Sequence, residues 1–296
     1  MNWNNVRYFL AVARSGQLSA AAKRLGVDHT TVARRVSSLE QELGEPLFNR
    51  LPRGYQLTSA GERLMPFAEQ MESQSLAMLA HISGDNSQTT GAVRLATPEG
   101  LGSQFICDHL NAFHQQFPGI ELELVAETRT ISLSKREADL ALTPSPPRHG
   151  RLKMRKAGKY RLGLYASAHY LNKHAPIVEP DDLSGHAFIA YINDLQPYPE
   201  LQMLEDRIPN PKVIFRCTNV TGQARAAASG MGLALLPCFI ANRVPELVPL
   251  FKDEIYLDRD LWLLVHEDLR PLARVDAVHQ YLTTLLRSEQ KMLLGK

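Results

Sequence analysis

Cysteine is scarce. Cys107, Cys217 and Cys238 are the only three in 296 residues, and they lie far apart with no CxxC pair. Neither a disulfide framework nor a zinc motif is therefore legible, and a reducing compartment fits. Long apolar runs are missing too: nothing approaches the roughly 20 apolar residues that a membrane span needs. The opening MNWNNVRYFLAVARSG breaks its apolar pattern with Arg7 and Arg14, so it does not read as a secretory leader. The expected location is the cytoplasm, with no membrane partner. Catalytic signatures are absent as well: there is no GxSxG, GxxxxGK[ST], HExxH or GxGxxG. The ten histidines are scattered, and His169 and His174 read as surface positions near a helix. No catalytic residue, metal ligand or cofactor is assigned, and the chain is not expected to be an enzyme. Residues 66–90 lack positive charge altogether, carrying Glu69, Glu72 and Asp85 with no Lys or Arg.

What is present is an ordinary globular composition, 44% hydrophobic and 22% charged, long enough for two or three compact units. The net charge of +2 conceals an uneven distribution. Residues 1–65 hold Lys23 and eight arginines against five acids, so the positive charge collects at one end, as a polyanion-binding module would place it.

In that basic end, Trp3, Val6, Leu10 and Ala13 fall at helical spacing and Gly16 closes the segment. Ser19 is read as the cap of a second helix, SAAAKRLG, which stops at Gly26. Asp28 is read as the cap of a third, running to about Leu43. Two helices about a tight, Gly-containing turn are the mark of a helix-turn-helix. Val32, Val36 and Leu39 share one face of the third helix, so Thr30, Arg34 and Ser37 face the other way, with His29 and Arg35 on the flanks. Short polar groups followed by Arg one turn later suit major-groove entry, because Arg can pair bidentately with guanine. Two short strands then flank Leu51-Pro52-Arg53-Gly54, a tight turn with Arg50 at its base and Arg53 at its tip, placed to meet a minor groove or phosphate. Any one of these arginines is equally explained as a solvated charge; the joint arrangement is what points to double-stranded DNA.

The segment FLAVARSGQLSAAAKRLGVDHTTVARRVSSLEQELGEPLFNR, with LTSAGERL after it, closely resembles the N-terminal domain of the LysR-type transcriptional regulators. The likeness covers residues 1–65 and continues more loosely to the C-terminus. It implies that His29, Thr30, Thr31, Arg34, Arg35 and Arg53 face DNA. Asp28-His29 replaces the commoner Ser-Gln, so base preference does not carry over.

Ser59 and Glu62 are read as a capping box opening a helix over 59–82. Leu64, Ala68, Met71, Ser75, Met78 and Ile82 recur at 4-3-4-3-4 spacing, a coiled-coil-like seam. It serves either packing on its own chain or dimerisation; the resemblance to a linker helix favours dimerisation through Leu64, Ala68, Met71, Met78 and Ile82. Pro66 should bend the helix or loosen its first turns. SGDNSQTTG reads as a hinge.

From Val93 strands alternate with helices, which implies βαβ units and a mostly parallel sheet. The family likeness makes this a two-lobed α/β domain of the periplasmic-binding-protein kind, so the chain is α/β overall. The expected division is a winged helix-turn-helix at 1–58 (helix-turn-helix about 18–38), a linker helix at 59–82, a hinge at 83–91 and an effector domain at 92–296. Lobe I is expected at about 92–160 and 267–296, and lobe II at about 161–266. Ligands of such sheets bind at strand carboxyl ends, which selects Thr97, Glu99 and Gly100, Thr128 and Arg129, and Asn219 and Thr221; simple helix capping explains the Thr and Asn residues equally well. Glu99 would repel an acidic effector unless Arg129 neutralised it. Thr143-Pro144-Ser145-Pro146-Pro147 stiffens the first crossing between lobes.

The expected function is a DNA-binding transcription regulator that recognises an interrupted-dyad operator and answers to an unidentified small-molecule effector in the interlobe cleft. The resemblance adds a homodimer pairing into a homotetramer, and RNA polymerase is a further candidate partner. The alternatives are a cytoplasmic small-molecule-binding protein, or an enzyme whose basic module serves another partner.

Overall fold

The computed structural model describes residues 2–52, 54–82, 89–127, 133, 137–145, 152–195, 204, 208 and 210–296. The chain divides into two compact units, built essentially on residues 1–87 and 88–296.

The first unit opens with three helices, α1 (Trp3–Ser15), α2 (Leu18–Leu25) and α3 (His29–Leu43), each stopped by a left-handed glycine, Gly16, Gly26 or Gly44. Their apolar faces meet in one core, where Val6, Phe9, Leu10, Ala21, Val32, Val36 and Leu39 are buried. Helix α2 begins one residue before the anticipated cap: Gln17, not Ser19, stands at its N-cap and makes no side-chain capping bond. Asp28 occupies the cap position of α3 but likewise makes no capping bond.

Strands β1 (Phe48–Leu51) and β2 (Gly54–Leu57) pair antiparallel as a hairpin. Its base is fixed from three sides. The Glu40 carboxylate on α3 accepts from the backbone N–H groups of Leu47 (2.8 Å) and Phe48 (3.3 Å). Phe48 lies between Phe9 and Tyr55, with ring centroids at 5.3 and 5.9 Å. The Tyr55 N–H donates to the Gly16 carbonyl at 2.7 Å. Gly54 has φ +135°, and a methyl group there would overlap the Gly16 carbonyl oxygen, so both conformation and close approach require glycine.

Helix α4 (Ser59–Ile82) runs unbroken through Pro66, whose missing N–H removes one rung from the helix. The anticipated Ser59–Glu62 capping box is displaced by one residue: Thr58 caps the helix, its hydroxyl accepting from Gly61 N–H at 3.1 Å. Arg14 on α1 clasps Glu72 on α4 with two hydrogen bonds, 2.7 and 3.2 Å, and only 4% of the Arg14 side chain is exposed.

The second unit is built on one continuous nine-stranded sheet, ordered β4-β3-β5-β11-β6-β9-β7-β8, with β10 paired to β6. The strands are β3 (Gly91–Pro98), β4 (Ile120–Glu127), β5 (Leu140–Thr143), β6 (Leu152–Ser167), β7 (Ala187–Tyr191), β8 (Lys212–Cys217), β9 (Leu233–Pro237), β10 (Leu247–Leu250) and β11 (Tyr256–His266). The anticipated hinge at 83–91 falls largely outside the described residues, and Gly91 is already in β3, paired with Ile120.

The sheet is mixed rather than mostly parallel. β3 pairs parallel with β4 and β5, and β7 with β8 and β9, as βαβ units demand. β6 and β11 pair antiparallel with each other along almost the whole of β11. These two long strands serve both lobes. Trp262–Val265 of β11 pair with β5, so the first lobe takes up the end of this strand rather than resuming at 267, and β9 joins the far half of β6. Arg161 and Asp258 tie the two strands with hydrogen bonds of 2.7 and 3.0 Å, the guanidinium lying 3.8 Å from the Tyr256 ring centre.

Around the sheet lie α5 (Glu99–Gln104), α6 (Leu110–Gln116), α7 (Ala168–Lys173), α8 (Val220–Ala228), α9 (Cys238–Ala241), α10 (Ala273–Ser288) and α11 (Gln290–Leu293). The helix anticipated over about 101–117 is broken into α5, a 3-10 turn at Ile106–His109 and α6. The short helix anticipated near 131–138 lies mostly outside the described residues.

Candidate functional site

In the first unit, the burial of Val32, Val36 and Leu39 turns the opposite face of α3 outward. His29, Thr30 and Arg34 are exposed there, with Thr31 and Arg35 half-buried beside them. Arg50 is exposed on β1; Arg53 lies outside the described residues. Among the described residues no ion pair occupies Arg34, Arg35 or Arg50, and Arg35 Nε is buried with no acceptor. These cations are available to an anionic partner, and α3 presents a row of hydrogen-bonding groups with no apolar residue on its outward crest.

The anticipated seam on α4 requires correction. Leu64 and Ala68 belong to the unit's own core: Ala68 is fully buried, and Leu64 packs on the same cluster. The stripe left open keeps Met71 and Met78 of that seam but begins at Phe67, which is 65% exposed, with Met78 at 55%. A shallow apolar groove runs beside it, lined by Trp3, Phe67, Met71, Gln74 and Ser75. Phe67, Met71, Gln74 and Met78 repeat at 4-3-4 spacing. Ile82 ends the helix, and its side chain lies outside the described set.

In the second unit, strand ends from both lobes converge on a cavity of about 50 Å³, room for a few water molecules or a small ligand. Pro98, Glu99, Gly100 and Leu101 contribute from the β3–α5 corner, Glu127 from the end of β4, and Pro144 from just beyond β5. Tyr191 and Thr218 close it from the ends of β7 and β8, Asn219 and Val220 from the start of α8, and Phe239 and Ile240 from α9. Tyr160, Leu162 and Leu261 of the crossing strands form its floor.

Of the residues singled out from sequence, Glu99, Gly100 and Asn219 line this cavity. Thr221 does not line it but donates its hydroxyl to Glu99 Oε1 at 2.8 Å. Thr97 is 4% exposed and sits beneath α5, its hydroxyl without a hydrogen-bond partner. Thr128 and Arg129 lie outside the described residues. Asn219 also caps α8, accepting from Gly222 N–H at 2.7 Å. Gly100 is held against α8: a methyl group there would overlap Val220, so the corner must pass without a side chain.

Two carboxylates, Glu99 and Glu127, belong to the cavity lining. The Ser103 hydroxyl donates to the Glu99 carbonyl at 2.8 Å and lies 3.1 Å from Glu99 Oε1. Burial, then the proximity of Tyr160, Glu99 and Cys217, hold the Tyr191 phenol above its ordinary pKa. The Cys217 thiol is also raised, chiefly by burial, while it donates to the Asn219 carbonyl at 3.2 Å. Both groups stay protonated near neutrality.

Sequence reasoning passed over Tyr191, Thr218 and Glu127, although the strand-end rule that selected Glu99 applies to them. Tyr160 and Leu261 carried no such signal, because they sit in the middle of strands whose passage through both lobes is a property of the assembled sheet.

Comparison with known proteins supplies the frame for both sites. Residues 3–62 match the bacterial regulatory helix-turn-helix proteins of the lysR family, and residues 86–287 match the LysR substrate binding domain. The Mau operon transcriptional activator of Paracoccus denitrificans is 28% identical over 282 residues, 93% of either chain. An HTH-type transcriptional regulator of Xanthomonas campestris pv. campestris is 34% identical over 191 residues, 63% of this chain and 54% of that one. The fold resembles full-length AphB of Vibrio cholerae (TM-score 0.60, 24% identity, 96% and 99% of the two chains). It also resembles a full-length OxyR variant of Pseudomonas aeruginosa (TM-score 0.72, 18% identity, 97% and 98%). A helix-turn-helix unit joined to a two-lobed effector domain, matched together over nearly the whole sequence, places the chain in the family of LysR-type transcriptional regulators.

Proposed function

We propose that this regulator binds an interrupted-dyad operator as a homodimer. His29, Thr30, Thr31, Arg34 and Arg35 face the major groove, while Arg50 and Arg53 hold the flanking backbone or minor groove. The observation that carries this reading is the outward face of α3, where Arg34 is exposed and without an ion-pair partner. A guanidinium left free on a helix whose back is fully buried suits bidentate pairing with guanine. Two copies pair along α4 through Phe67, Met71 and Met78, whose exposed apolar stripe is supported for this role by its 4-3-4 repeat. Effector domains pair separately to give a tetramer, in keeping with the family. The protein works in the cytoplasm; no helix among the described residues is long and apolar enough to cross a membrane.

The effector occupies the cavity where strand ends from both lobes meet. A ligand touching both lobes favours one arrangement of them, and only that differential affinity can alter operator binding. The test is selection of genomic fragments by the full chain in excess competitor DNA, followed by footprinting. Protection of paired half-sites in the selected fragments is expected. Retention of random fragments alone would contradict sequence-specific binding.

A further inference from the structure

We propose that the interlobe cavity takes a small organic cation, an amine or a guanidine, with Glu99 as its counter-ion. This rests on the reading of that cavity as the effector site. The Glu99 carboxylate is used on one side only: Oε1 accepts from the Thr221 hydroxyl at 2.8 Å and lies 3.1 Å from Ser103 Oγ, whose one proton also reaches the Glu99 carbonyl at 2.8 Å. Its other oxygen, Oε2, is shielded from solvent and has no hydrogen-bond partner. A carboxylate oxygen in that condition is costly to keep, and a ligand N–H in the cavity meets its need once the carboxylate turns Oε2 towards it. A cationic N–H meets it better, because charge-assisted bonds are the stronger ones.

The rest of the lining points the same way. Glu127 brings a second carboxylate to the wall, and none of the described lining residues is Lys, Arg or His. Tyr160, Tyr191 and Phe239 supply aromatic surface, which attracts cations and not anions. Thr221 holds Glu99 Oε1 before any ligand arrives, so the carboxylate is already partly ordered when the new bond forms. A carboxylate effector would instead meet the like charge of Glu99 in a confined space.

The experiment is titration calorimetry on the full-length protein with agmatine, putrescine, spermidine and benzylamine, against benzyl alcohol, benzoate and succinate. At least one cation should bind, and benzylamine should bind about tenfold or more tightly than benzyl alcohol or benzoate. Glu99→Gln should weaken the cations about 10- to 100-fold, the span expected for a charged hydrogen bond. The comparison among ligands needs no variant, so a folding defect in Glu99→Gln cannot decide the outcome. Benzoate or succinate binding to wild type, and more tightly to Glu99→Gln, would overturn the cation while keeping the cavity as the effector site. Cation binding unchanged by Glu99→Gln would overturn the role of Glu99. If no probe binds, the proposal falls; operator binding that still responds to a low-mass cell extract would then show that the effector reading survives it.

Discussion

At the scale of single residues, side chains that hold the fold are distinct from those free to act. Arg14 and Arg34 lie in the same unit and carry the same charge, yet one is clasped by Glu72 and almost wholly buried while the other is exposed and unpaired. Glu72→Gln leaves the buried Arg14 without its counter-charge, and a loss of about 3–5 kcal/mol in the stability of the N-terminal unit is expected. Denaturant unfolding measures it, with exposed Glu62→Gln expected within about 0.5 kcal/mol of wild type. Comparable effects for the two substitutions would mean that the clasp contributes nothing. Arg34→Ala should lower affinity for the selected operator by about 1–3 kcal/mol and leave random duplex nearly unaffected. Fluorescence anisotropy on both duplexes reads this directly, and equal losses would reduce Arg34 to a phosphate contact.

At the scale of elements, α4 does two jobs with two faces. Leu64 and Ala68 close the core of their own unit, whereas Phe67 and Met78 are exposed. Phe67→Asp should therefore halve the mass of the tetramer seen by light scattering, leaving dimers joined through the effector domains, while the N-terminal unit stays folded. Ala68→Asp should unfold that unit, because a carboxylate cannot be placed unpaired in its core. A tetramer that persists in Phe67→Asp would remove the stripe from the interface. The sequence made the 59–82 helix legible through its periodicity, and Met71 and Met78 with it, but not that Leu64 and Ala68 face inward while Phe67 stays open; that depends on how α1 and the Arg14–Glu72 clasp orient the helix. The helices of the first unit were legible because glycine stops and apolar spacing are local signals. Crossing strands β6 and β11 were not, since their antiparallel pairing joins residues up to 114 apart, as between Leu152 and His266. For the cavity, the strand-end rule found Glu99, Gly100 and Asn219, while the floor residues had no local signature.

At the scale of the whole molecule, pH and DNA spacing test how the parts are held and used. His279 on α10 is buried, and burial, reinforced by Arg270 and Arg155, lowers its pKa from 6.5 to about 4. It is thus neutral in the folded protein at a pH where the unfolded chain is already protonated. Stability is fully present above pH 6.5 and is lost as pH falls from there towards 4. The Asp258 carboxyl, held low chiefly by its hydrogen bond to Arg161, releases its contribution only below its ordinary value of 3.8, beneath that window. The melting temperature should therefore fall between pH 7 and pH 5, and His279→Gln should show a shallower fall; identical slopes would contradict a buried neutral imidazole. The central claim, a two-fold pair of α3 helices reading two half-sites, is tested most directly by operator spacing. Half-sites one helical turn apart, about 10 base pairs, lie on one face of the duplex. Inserting 5 base pairs between them turns one half-site to the far side, and inserting 10 restores the face. In a gel-shift titration of the selected operator, the account predicts a large loss of affinity with 5 and substantial recovery with 10. Equal affinity for all three spacings would contradict paired recognition by a symmetric dimer.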